Sequence, residues 1–199
     1  MANLREIRKR IDSVSTTKQI TRTMEMVSSA KISRALTRAK ESEPYRRAIT
    51  DVMFTVAGQV AAGSAPSPLL ENPETYERAL IIAISSDRGL AGGFNIQVER
   101  AVERRIDHFR RHGAREIELI TCGRKVTEYF QDYPNLVMSV TGESDMPSFQ
   151  HAQEIAEYAL DGFATGALGR IDHRRELGRR NVARRRRRLD LSPMSFHVC

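Results

Sequence analysis

The sequence predicts an α/β protein in which a long N-terminal helix is followed by a domain built on a parallel sheet. Three observations carry that expectation. From Leu4 to about Val60 the apolar side chains keep a helical spacing, beginning with Leu4, Ile7, Ile11 and Val14 at intervals of 3, 4 and 3. A fully apolar run follows from Ala79 to Ile84, as expected of a strand buried on both faces. Beyond it, strand and helix patterns alternate, which is the mark of parallel β-α-β units.

The first element spans residues 1–60. Its opening seam fails at the next positions of the same register, Lys18, Thr21, Glu25 and Ser28, and apolar residues resume at Ile20, Met24 and Val27. A later stripe, Ile49, Met53, Val56 and Val60, follows Pro44, which is expected to kink or interrupt the helix. At 1.5 Å per residue such an element reaches about 80 Å. It is too long to wrap a core made by 199 residues, so it must find other partners.

Residues 61–78, with Pro66, Pro68 and Pro73, read as a linker. The second domain is expected at 79–172. After the first strand, Phe94, Val98, Val102, Ile106 and Phe109 make an amphipathic helix ending near Gly113. Glu116 to Thr121 is a strand, Arg124 to Phe130 a short helix, and Leu136 to Val140 a strand. A last helix runs from near Pro147 to about Phe163. The order β-α-β-α-β-α is Rossmann-like. From His173 onward the pattern dissolves into an Arg-rich stretch at 173–199, where a further strand of the sheet is expected and none is legible.

Charge sharpens this division. The formal net charge is +7, which by itself suggests a nucleic-acid binder. Residues 1–169 balance 22 basic against 22 acidic side chains, and residues 170–199 hold ten Arg against three carboxylates. The excess therefore lies wholly in the tail, where Arg184 to Arg188 form an unbroken run. That tail is compatible with a nucleic-acid or anionic-membrane tether, although no stacking aromatics are interleaved with it. No apolar run approaches the ~20 residues of a membrane span. Cys122 and Cys199 suggest neither a disulfide framework nor a zinc site. The Ser/Thr-rich, basic start is weighed as a transit peptide and read instead as a helix with a solvated basic face.

Few segments suggest chemistry. Ser85 to Asn95 joins the first strand to its helix with Gly89, Gly92 and Gly93, a geometry able to cradle a phosphate. It matches neither dinucleotide-binding nor P-loop spacing, and a tight turn with local contacts from Asp87 and Arg88 is the simpler reading. His108 and His112, four residues apart, suit zinc in spacing, but Arg105 and Arg111 beside them repel a dication. Glu154 and Glu157 read as a solvated helix face. No catalytic residue, cofactor site or metal site is expected.

Three segments resemble one family. Leu4 to Ala35 (LREIRKRIDSVSTTKQITRTMEMVSSAKISRA), Ser86 to Asn95 (SDRGLAGGFN) and Val140 to Phe149 (VTGESDMPSF) resemble, in the same order, the gamma subunit of bacterial F-type ATP synthase. The resemblance covers about residues 1–172. It implies a non-catalytic rotor of the central stalk, turning inside the alpha-beta hexamer to couple proton flow to ATP synthesis. It also implies partners in the alpha, beta and epsilon subunits and the ring of c subunits, with no nucleic acid, and a place peripheral to the cytoplasmic face of the bacterial membrane.

By the same resemblance, Leu4, Ile7, Ile11 and Val14 form a coiled-coil seam for an antiparallel C-terminal helix. Thr21, Arg22, Met24 and Lys31, together with Arg88 and Ala91, face the beta subunit, Ala91 standing where the family often has Cys. The departure is at the end. Where the family continues into further α/β structure and the C-terminal helix, this chain has HRRELGRRNVARRRRRLDLSPMSFHVC, which suggests a truncated or frameshifted product.

Overall fold

The computed structural model describes residues 3–61 and 76–174. Most of the expected linker and of the Arg-rich tail lies outside these residues. The chain divides into two compact units, residues 1–58 and 59–199.

The first unit is one helix, α1 (Leu4–Ala61), about 87 Å long at 1.5 Å per residue. It runs unbroken through Pro44, so the interruption expected there does not occur. Proline removes one N–H and costs about 3 kcal/mol inside a helix. Local ion pairs span the turn that follows. The Glu43 carboxylate accepts from Arg46 Nη2 at 2.6 Å and Nε at 2.7 Å, and from Arg47 Nε at 2.8 Å. Hydrogen bonds from Arg46 and then Arg47 hold the Glu43 carboxyl down to about 2.

Continuity through Pro44 changes the meaning of the apolar stripes. Leu4 and Met53 are 49 residues apart, or seven heptads, so both stripes occupy one register. Ile32, Ala35 and Ala39 fall on it too. The seam therefore reads Leu4, Ile7, Ile11, Val14, a polar stretch, Ile32, Ala35, Ala39, a second polar stretch at Ser42 and Arg46, then Ile49, Met53 and Val56. In a straight helix this seam drifts by ~20° per heptad, so a partner follows it only by supercoiling left-handedly.

The second unit is a four-stranded parallel sheet in the order β3-β2-β1-β4. Its elements are β1 (Arg78–Ile84), α2 (Phe94–Arg111), β2 (Glu116–Cys122), α3 (Arg124–Tyr129), β3 (Leu136–Val140), α4 (Phe149–Ala164) and β4 (Arg170–Arg174). Alternation along β1 divides the core. Ala79, Ile81 and Ala83 pack with Val98, Val102, Ile106 and Phe109 of α2, while Leu80 packs with Ile120, Ala159 and Leu168 on the other face. Both faces are covered, which explains why β1 and β2 read as nearly continuous apolar runs.

Strand β4 corrects the expectation that the sheet lacks a further strand and that structure ends at residue 172. Its residues pair in parallel register with β1, from Ala79 with Arg170 to Ala83 with Arg174. The sequence Arg-Ile-Asp-His-Arg conceals it, because Ile171 is its one apolar side chain. Asp172 is buried, and its carboxylate lies 2.6 Å from Nε of Arg105 on α2. The Arg105 guanidinium in turn sits 4.4 Å from the centre of the Phe109 ring. An ion pair thus does here what an apolar contact does elsewhere in the sheet.

Removing one partner of a buried pair leaves the other charge desolvated. Asp172→Ala is expected to destabilise the domain by about 3–5 kcal/mol in urea unfolding, and the double change Arg105→Met with Asp172→Leu to recover most of that loss.

Candidate functional site

Two regions hold the residues that the sequence singles out. On α1, Leu4, Ile7, Ile11, Val14, Ile32, Ile49, Met53 and Val56 are each 41–68% exposed. A helix that shows this much aliphatic surface along one heptad register has the surface pattern of a coiled-coil strand. Thr21, Arg22 and Met24 are exposed, and Lys31 is half-buried. The Thr21 hydroxyl donates to the Thr17 carbonyl at 2.9 Å, and Thr16, Thr17 and Thr23 bond back to their own helix in the same way. These hydroxyls are spent on the backbone. The polar stretch therefore presents threonine methyl groups and long cationic side chains rather than threonine hydroxyls.

The second region lies beyond the carboxyl ends of the strands, where the loop after β1 stands at the reversal of strand order. Ser85 is buried. Its N–H donates to the Cys122 carbonyl at 2.8 Å and its Oγ accepts from Val126 N at 3.0 Å. Gly123, at φ 106°, lies so close that a Cβ there would meet the Ser85 carbonyl oxygen at 2.3 Å. Asn95 at the start of α2 accepts from Ser86 N at 3.1 Å and fixes the far end of the loop.

Asp87 is the centre of this region. Its Oδ1 accepts from Arg124 N at 2.9 Å and Gly142 N at 2.8 Å, and its Oδ2 accepts from Ser144 N at 2.8 Å and Ser144 Oγ at 2.6 Å. One carboxylate ties together the loops after β1, β2 and β3. Burial raises its pKa, but hydrogen bonds from the Ser144 side chain and from the Gly142, Ser144 and Arg124 backbone outweigh burial and hold it well below the usual carboxylate range. The donors come from the start of α3 and the loop after β3, and the glycine-containing loop itself supplies the anion.

The clasp displays what surrounds it. Arg88 is 80% exposed and reaches Asp145 at 3.8 Å across the two loops. Leu90, at φ 59° without being glycine, is 93% exposed, and Ala91 beside it is exposed as well. Leu90 thus holds a backbone conformation costly for a leucine while its side chain packs against little of its own chain. Met146 and Phe149, on the loop after β3 and the start of α4, are also exposed.

Other candidates carry less. His108 and His112 stack at 4.0 Å, and His112 Nδ1 faces the His108 carbonyl oxygen at 2.7 Å, which removes the pair from the zinc geometry weighed above. Among the described residues no three His, Cys, Asp or Glu side chains are grouped to hold a metal ion. Glu154 and Glu157 accept from Gln150 and Gln153 on the exposed face of α4. The Cys122 thiol is pushed up to about 11 by burial and then by Glu143, so it stays protonated. Tyr158 is raised to about 12 by burial and by its 2.7 Å bond to Glu118, a carboxylate already paired with Arg78. That cluster is structural.

Sequence reasoning identified the loop and missed its clasp. The signal was present, because Asp87 lies in SDRGLAGGFN and Gly142 and Ser144 lie in VTGESDMPSF. The two distant motifs that carry the family resemblance are hydrogen-bonded to each other. The common register of the two α1 stripes is hidden in the sequence by Pro44 and by the polar seam positions between them.

Comparison with known proteins finds matches that run through both units. A family described as ATP synthase matches residues 3–175. The chain is 37% identical over 174 residues to an ATP synthase gamma chain of Synechococcus sp. (strain RCC307), covering 86% of this chain and 54% of that one. It is 39% identical over 163 residues to the gamma chain of Leifsonia xyli, covering 81% and 53%. It is 35% identical over 173 residues to that of Leptospira biflexa, covering 86% and 59%. The chain thus spans a little over half the length of these curated relatives. In fold it is similar to a chain of the central stalk and c-ring of the Tetrahymena thermophila mitochondrial ATP synthase, with a TM-score of 0.53, 21% identity, and coverage of 71% of this chain and 59% of that chain.

Replacing Asp87 tests the clasp. Asp87→Ala is expected to cost about 1–2 kcal/mol at pH 7, discounted for the partial exposure of the carboxylate. Because the folded pKa is depressed, the wild-type advantage is full above the unfolded value near ~4 and fades as pH falls below it. Urea titrations of both proteins between pH 7 and pH 3 give the difference.

Proposed function

Because the chain belongs to the ATP synthase family, as its match over residues 3–175 establishes, we propose that it serves as a gamma-type subunit of the central stalk. In that role it is a rotor, coupling proton flow through a membrane sector to ATP synthesis by turning inside the alpha-beta hexamer. It performs no chemistry itself. Its partners are the alpha, beta and epsilon subunits and the c ring, and its place is peripheral to the cytoplasmic face of a bacterial membrane.

The observation that carries the reading is the family match across both units, the long helix and the sheet domain together. The physical features support it. A helix about 87 Å long with exposed aliphatic side chains suits a shaft, and its polar stretches limit how deeply any one face locks to a neighbour. Asp87 ties the loops beyond the carboxyl ends of the strands to one another, which suits a domain that transmits torque. Thr21, Arg22, Met24 and Lys31 of α1, and Arg88, Leu90 and Ala91 of the loop, are the positions we assign to contacts with beta.

We read residues 1–60 as the shaft, 79–174 as the sheet domain, and the Arg-rich stretch beyond the family match as out of frame. The gene decides that last point. Translation in all three frames downstream of the codons for Gly166 to Arg180 is expected to reveal a gamma-like C-terminal helix, and its absence from every frame would leave a genuinely divergent tail.

Co-expression with alpha and beta subunits of a related bacterial enzyme tests the function. The chain is expected to co-purify with them, and Arg22→Glu with Arg88→Glu to weaken capture by about 10-fold, or about 1.4 kcal/mol. Leu90→Gly relieves backbone strain but frees the unfolded chain, so it should stay within about 0.5 kcal/mol of wild type in stability while reducing capture. Failure to co-purify, combined with salt-dependent DNA binding lost on deleting Arg179 to Cys199, would favour a nucleic-acid tether instead.

A further inference from the structure

We propose that in the absence of other subunits two copies of this chain pair antiparallel through the α1 seam. This rests on the register of one helix and stands apart from the rotor reading. Two antiparallel helices sharing a heptad pair each first seam position with the second seam position of the partner. Centring the pair on residue 30 sets Leu4 against Val56, Ile7 against Met53 and Ile11 against Ile49 of the other copy, and symmetry repeats these layers at the opposite end. The six outer layers are wholly apolar.

The inner layers are what select the arrangement. Val14 meets Arg46, whose guanidinium is drawn back along its own helix by Glu43, leaving the aliphatic stem at the seam. Lys18 meets Ser42, Thr21 meets Ala39, Glu25 meets Ala35 and Ser28 meets Ile32. No like charges face one another. A parallel, in-register pair would set Lys18 on Lys18, Glu25 on Glu25 and Arg46 on Arg46, each a like-charge contact in a low-dielectric seam. The charged interruptions thus discriminate against the parallel dimer and are neutral toward the antiparallel one.

Area and charge set the strength. Eight aliphatic side chains per helix, 41–68% exposed, amount to on the order of 1,000 Å² across the pair, at the edge of the ~1,200–2,000 Å² typical of stable specific interfaces. Residues 1–60 carry 12 basic and 6 acidic side chains, so the copies repel at long range. A weak dimer, strengthened by salt, is the expected result.

The test uses the full 199-residue chain. Sedimentation equilibrium at up to ~100 μM should give a mass rising toward twice 22.5 kDa, more steeply at 0.5 M than at 0.05 M salt. Ile11→Glu should weaken association at least 10-fold. Ile20→Glu, equally exposed but off the seam, should leave it unchanged. Because Ile11→Glu also risks loosening the helix, cross-linking gives an independent readout. With Cys122 and Cys199 changed to Ser, oxidising a mixture of Ile7→Cys and Met53→Cys chains should yield the mixed disulfide, while neither variant alone should cross-link. A monomer throughout, association indifferent to Ile11→Glu, or self-cross-linking of Ile7→Cys alone would each overturn the proposal. None of these outcomes depends on capture by alpha and beta, so this inference and the rotor reading fail separately.

Discussion

The governing constraint is the length of α1 against what one helix can bury. A 58-residue helix has no core of its own, and isolated helices draw most of their stability from the packing of an apolar face. The strands of the sheet domain are five to seven residues long, spanning ~17–23 Å against about 87 Å for α1. The seam is therefore a demand for another long helix. Its polar stretches do not abolish that demand; they restrict which helix can meet it and in which direction.

The sheet domain solves the opposite problem. A parallel sheet leaves a crevice beyond its carboxyl ends where loop N–H groups and helix starts converge, and in many folds an anion from outside satisfies them. Here Asp87 satisfies them from within. Three loops from distant parts of the chain meet at one carboxylate, and the glycine-containing loop is freed to hold Leu90 outward in a conformation that leucine adopts only under restraint. The same local architecture that elsewhere builds a binding pocket becomes a mounting for an exposed leucine.

How much was legible follows from which residues carried each feature. The first three strands and their helices announced themselves because Ala79 to Ile84, the apolar positions of α2 and the turn residues between them follow the rules of burial and periodicity. Strand β4 did not, because its burial is carried by Asp172, whose partner Arg105 lies on another element 67 residues earlier. Polarity reads such a strand as loop. Pro44 misled in the other direction. Its local penalty is real, but a helix is cooperative, and the Glu43–Arg46–Arg47 cluster lies in the turn that follows the lost bond. For the site, the motifs contained Asp87, Gly142 and Ser144, but three of the four clasp donors are backbone N–H groups, whose pairing side-chain identity does not announce.

Charge is the last link between the two units. The net +7 resides in residues 170–199, most of which lie outside the described structure, and it says little about the body of the chain. Within that body the balance is polarised, with 12 basic against 6 acidic residues over 1–60 and 10 against 16 over 61–169. A long basic helix attracts acidic partners through the solvent and repels its own copies, whereas its seam offers aliphatic contact to any helix of matching register. Long-range steering and short-range packing thus favour different occupants of the same helix. Which one prevails depends on whether an acidic partner is present.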